Sequence, residues 1–174
     1  MLQNRHALLC ALSTFAVTVV CGAAHAAEPG RHRFGTLELW LASDSWRVER
    51  HSSDTFDIVP IGSMAQAARS VTLTRIPGAD LETCKAHARA QLSLPHYGEP
   101  KLRAIQIAGE GGIEARAHTR CRNAMPIGIV ACFPHGEASY VLTNRSRGCR
   151  DSAGNPFSKT QWFEDLTKAI RIAP

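Results

Sequence analysis

With 174 residues and a formal charge of +5, the chain has room for one ordinary domain, and no internal repeat, low-complexity tract or long Pro/Ser linker divides it. The basic excess, mostly Arg, weakly favours anionic partners. In an exported chain it does not point to nucleic acid.

Export is the first expectation. Arg5 precedes an apolar run from Ala7 to Val20, and Ala24-His25-Ala26 supplies the small residues a signal peptidase needs. Residues 1–26 therefore read as a cleaved signal peptide and residues 27–174 as a single periplasmic domain. The run is shorter than the roughly 20 residues of a membrane-crossing helix, contains Ser13 and Thr14, and gives way to Glu28-Pro29-Gly30. No stable membrane insertion is expected after cleavage. Cys21 raises a lipoprotein alternative, but Val20 stands where lipid attachment wants a small residue. A domain of this length can bury about 68–70% of the surface its unfolded chain exposes.

Alternation from Phe34 to Trp40 predicts a strand with one buried face, and further strands follow at Trp46–Arg50, Thr55–Pro60 and Ser70–Ile76. Ser43-Asp44-Ser45, Ser52-Ser53-Asp54 and Gly62-Ser63 supply the turns of an antiparallel meander. Asp80 can cap a helix reaching to about Leu94 before Pro95, with Leu81, Cys84, Ala88 and Leu92 on one face. Two hairpins come next. Lys101–Ala108 and Ile113–Arg120 flank Gly109-Glu110-Gly111-Gly112, while Ile127–Phe133 and Ala138–Arg145 flank Pro134-His135-Gly136-Glu137. A closing helix is expected from a capping box of Ser158 and Gln161, a staple of Phe157 and Trp162, and a buried stripe of Phe163, Leu166 and Ile170.

The predicted class is α+β: an antiparallel sheet covered by two helices, in the order strands, helix, strands, helix. With that order and the closing run Trp162-Phe163-Glu164-Asp165-Leu166-Thr167-Lys168-Ala169-Ile170, the chain resembles the PsbP/DcrB-like superfamily over roughly residues 34–172. The resemblance implies a non-enzymatic accessory or binding role.

Export makes disulfides of the four cysteines beyond the leader the leading reading. Counting back from a turn at Pro134–Glu137 sets Cys132 opposite about Ser139 and residue 149 near residue 122. Cys121 then pairs with Cys149, leaving Cys84 for Cys132. The competing reading is metal or nucleophile chemistry at Cys84-Lys85-Ala86-His87, which supplies half a site. His32, His51, His96, His118 and His135 are scattered, and no motif marks a metal, cofactor or catalytic site. Gly62-Ser63-Met64-Ala65 lacks the second glycine of a nucleophile elbow, and Gly109–Gly112 reads as a hairpin tip before an acidic catalytic loop.

Two features could carry a contact, each beside a plainer reading, a solvated Arg-rich loop for the first and ordinary packing for the second. A Cys121–Cys149 bridge would gather Arg120, Arg122, Arg145, Arg147 and Arg150 at one end of the sheet, a guanidinium concentration suited to carboxylates or phosphates. Trp40 and Trp46 could floor a ligand pocket or pack at the core's rim. The expected function is a non-catalytic periplasmic accessory or binding domain whose partner is an envelope protein or an anionic envelope ligand. A periplasmic immunity or inhibitor protein that blocks an envelope-acting enzyme is the alternative, and a hydrolase is the third class. No sequence feature indicates an oligomeric state.

Overall fold

A computed structural model describes residues 30–62, 65, 68–118, 127–144 and 160–173. Its class is the expected α+β, mostly sheet, with helices at Leu81–Leu92 and Gln161–Lys168 among the described residues. No helix among the described residues is long and apolar enough to cross a membrane.

The strands are β1 (Arg31–Phe34), β2 (Leu37–Trp40), β3 (Trp46–Ser52), β4 (Thr55–Pro60), β5 (Val71–Pro77), β6 (Lys101–Ile107), β7 (Glu110–His118), β8 (Ile127–His135), β9 (Ala138–Asn144) and β10 (Ile170–Ile172). Helix α1 (Leu81–Leu92) lies between β5 and β6, and α2 (Gln161–Lys168) precedes β10. A seven-stranded sheet runs β3-β4-β5-β9-β8-β7-β6, and a three-stranded sheet runs β1-β2-β10. All pairings are antiparallel.

The pleat of the large sheet sorts its side chains into two cores. On one face Cys84, Ala88 and Leu92 of α1 pack on Ala115, Val130, Cys132 and Val141. On the other, the small sheet and α2 bring Phe34, Leu37, Leu39, Phe163, Leu166 and Ile170 onto Phe56, Leu73, Ile129, Phe133, Tyr140 and Leu142. Full burial of one such Leu or Phe contributes about 1.5–3 kcal/mol. The Asp80 carboxylate accepts from the Thr83 amide at 2.7 Å and starts α1. Leu81 was expected on its buried face but is 41% exposed, because the sheet lies under Cys84, Ala88 and Leu92.

Several boundaries differ from expectation. The predicted strand Phe34–Trp40 is the second half of a hairpin, whose turn is Gly35-Thr36 with Gly35 at φ +61°. The β6–β7 turn is Ala108-Gly109, both at positive φ (55° and 88°), so Glu110, Gly111 and Gly112 belong to β7. Tightening the β8–β9 turn to Gly136-Glu137 sets Cys132 opposite Val141 rather than Ser139. That two-residue shift leaves the side-chain faces unchanged. Helix α2 takes Thr160 as its N-cap, without a side-chain cap bond, so Gln161 is the first helical residue and the expected box fails. Ser158 and Phe157 lie outside the described residues. Ile170 leaves the helix to pair with Leu39 in β10, a strand not expected from the sequence.

Candidate functional site

Cys84 and Cys132, both fully buried, are joined in a disulfide across the α1 face of the sheet. The bridge consumes the thiol of the Cys84–His87 pair, and His87 Nε2 lies 3.1 Å from Gln91 Nε2. No nucleophile is left at that position. Among the described residues no three His, Cys, Asp or Glu side chains gather in a metal-holding group. His51 pairs with Asp57 at 2.8 Å and His135 with Glu110 at 3.0 Å. Cys121, Cys149 and the arginine rim of Arg120, Arg122, Arg145, Arg147 and Arg150 lie outside the described residues.

Arginine nevertheless concentrates elsewhere, on the outer face of the three-stranded sheet. The register sets Arg31 opposite Trp40, Arg33 opposite Glu38 and Arg171 opposite Glu38, so these five side chains leave the sheet on one side. The inner row is Phe34, Leu37, Leu39, Ile170 and Ile172, which joins the core. Trp40 is 49% exposed, a larger fraction than any other large hydrophobic side chain among the described residues. The Arg31 guanidinium stands 5.3 Å from its ring centroid and also bonds the Glu38 carboxylate. Glu38 is only 5% exposed and takes its hydrogen bond from Arg31. The hydrogen bond from Arg31 holds its carboxyl below the usual range against the opposing effect of burial, and the charges of Arg31 and Arg33 act in the same direction. Arg171 turns toward the end of α2, donating to the Lys168 and Ile170 carbonyls.

The face thus carries three arginines, one ionised carboxylate and a half-exposed indole. Arg31 is fixed by its contacts with Glu38 and Trp40, whereas the Arg33 guanidinium is exposed and has no hydrogen-bond partner among the described residues. Arg50 supports the strand from beneath by donating to the Arg33 carbonyl at 3.2 Å and lying over the Phe56 ring. Trp46 belongs to another environment: its ring lies 6.4 Å from that of Trp162. Trp46 packs at the rim of the core, the plainer of the two readings, whereas Trp40 stays half-exposed. Arg31, Arg33 and Glu38 were not singled out from the sequence, although their alternation with His32 and Leu39 was legible there.

A second charged cluster lies where β6 and β7 meet α2. Glu114 is 2% exposed in a sheet interior, which demands partners for both oxygens. Arg103 supplies Nε at 2.8 Å and Nη2 at 3.0 Å, and Arg116 supplies Nε and Nη2. Both arginines also reach Glu164 Oε1 on α2, at 3.3 and 3.1 Å, and Arg116 donates to Thr160 Oγ1 at 2.9 Å. Burial would raise the Glu114 carboxyl, but the two guanidiniums outweigh it and hold the group below the ordinary range.

No protein-family model matches the chain, and no curated protein matches it significantly. It is similar to a crystal structure from Bacteroides thetaiotaomicron VPI-5482, with a TM-score of 0.47 and 9% identity over 84% of this chain and 49% of that one. The chain spans about half the length of that neighbour.

Proposed function

We propose that the protein is a non-catalytic accessory or binding domain, exported through cleavage after Ala26, that docks an acidic envelope protein on the outer face of its three-stranded sheet. The observation that carries this reading is Trp40, 49% exposed beneath Arg31, with Arg33 on the same face of the sheet. Tryptophan and arginine are the residues most enriched among binding hot spots, because each buries a large rigid surface while keeping a directional polar group. The exposed Arg33 guanidinium suits a carboxylate, which it can meet bidentately. The buried Cys84–Cys132 bridge supports an oxidising compartment. A flat strand face suits docking better than insertion into an active-site cleft, which favours the accessory role over the inhibitor role.

The test is recovery from envelope extract by the mature protein and by an Arg33→Ser, Trp40→Ala variant. One partner should be held by the wild type, lost by the variant by at least about tenfold, and released as salt rises. Equal recovery by both proteins would overturn the reading. A captured enzyme whose activity is blocked would shift the assignment to an inhibitor.

A further inference from the structure

Apart from that face, the β6–β7 corner forms an open cleft of about 180 Å³ lined by Glu99, Lys101, Leu102, Arg103, Glu114, Arg116 and His118. Glu114 and Glu164 pair with both arginines of the cleft, which leaves Lys101 and the outer edge of Arg103 as its open cationic groups. In register Lys101 stands opposite Arg116 and Arg103 opposite Glu114, so all four leave the sheet on one side. Glu114 and Glu164 engage Nε and Nη2 of Arg103, and no group among the described residues accepts from Arg103 Nη1 or Lys101 Nζ. The Arg103 side chain is half-exposed, while its inner edge is locked to a carboxylate buried beneath it. A guanidinium fixed on one edge and open on the other has already lost most of its rotamer freedom, which lowers the cost of binding an anion.

We propose that this cleft binds a small monocarboxylate, its oxygens on Arg103 Nη1 and Lys101 Nζ and its short apolar body against the methylene stems of the wall. The cleft is smaller than those that take drug-sized ligands, which limits the ligand to a few carbons. Glu99, exposed at the rim, repels a second negative charge and selects a monoanion over a dianion.

Butyrate is the probe, with uncharged butyramide of the same shape and dianionic succinate beside it. Titration of the mature protein, followed by backbone amide and arginine Nε NMR shifts, should move the β6–β7 resonances with butyrate and leave them in place with butyramide at about 20 mM. Lys101→Gln lies outside the Glu114 cluster, so it preserves the fold; it should weaken butyrate at least about threefold, and Arg103→Lys by about tenfold. Glu99→Gln should leave butyrate at least as tight and let succinate bind more tightly. Lys85→Gln, on the opposite face, should change nothing. The proposal is overturned by equal shifts with butyramide, by an unshifted β6–β7 corner, or by a Lys101→Gln protein that binds butyrate as the wild type does.

Discussion

At the scale of single residues, Glu114 shows how a charge is kept inside a sheet. Its oxygens accept from two arginines that are also tied to Glu164, so Glu114→Gln leaves two guanidiniums with half their partners. Thermal unfolding should register a loss of roughly 2–4 kcal/mol at neutral pH. Because the folded state holds the Glu114 carboxyl below its ordinary value, its contribution is complete above the ordinary carboxylate range and fades as pH falls through the depressed value. The gap between wild type and Glu114→Gln should therefore narrow as pH falls below the ordinary carboxylate range, and a gap independent of pH would contradict the assignment. Gly128 is the opposite case, a position defined by lack of space. A Cβ there would sit 2.7 Å from both Leu92 Cδ2 and Tyr97 Cζ, so Gly128→Ala should destabilise by about 1–3 kcal/mol by forcing the end of α1 off the sheet. Neither feature was legible as such. Glu114 reads in sequence as an ordinary strand charge, and only the pairing of β6 with β7 brings Arg103 to it.

Among the elements, legibility followed the range of the determining interactions. Asp80, a three-to-four-residue apolar spacing and the Pro95 boundary define α1 locally, and β4 spans the expected Thr55–Pro60. The hairpin turns were drawn too wide because Ala108 adopts a positive φ that its side chain ordinarily disfavours, and Pro134 continues into β8. β1 and β10 escaped notice for another reason: Arg31-His32-Arg33 and Ile170-Arg171-Ile172 are strands only because β2 pairs with both. The pairing of Cys84 with Cys132 survived the shifted register, since a two-residue slip keeps Cys132 facing α1. That bridge spans 48 residues, and the chain-entropy account assigns it about 4 kcal/mol. Replacing both cysteines by Ala should lower the unfolding free energy by about 2–5 kcal/mol in a denaturant titration, and an unchanged midpoint would show that the helix–sheet contact suffices alone.

For the whole molecule, the two faces of the large sheet are closed unequally. Helix α1 covers β7, β8 and β9 on one side, and the small sheet with α2 covers the other. The small sheet therefore buries its inner row and turns Arg31, Arg33, Glu38 and Trp40 outward, which ties the proposed docking face to the architecture. Of that face the sequence disclosed Trp40 and a general preference for anionic partners, while the arginine rim expected from Cys121 and Cys149 lies outside the described residues. Export itself is checked by intact mass: the periplasmic protein should begin at Ala27, and a retained leader or a lipid adduct on Cys21 would contradict it. The most direct test of the docking face is a photo-crosslinking amino acid placed at position 33 and, separately, at position 47 on β3, where another exposed arginine pairs with Glu49 of the same strand. In cells, position 33 should give one adduct with an envelope protein that disappears when Trp40 is changed to Ala, and position 47 should give none. Adducts from position 47 alone, or an adduct at position 33 indifferent to Trp40, would contradict the account.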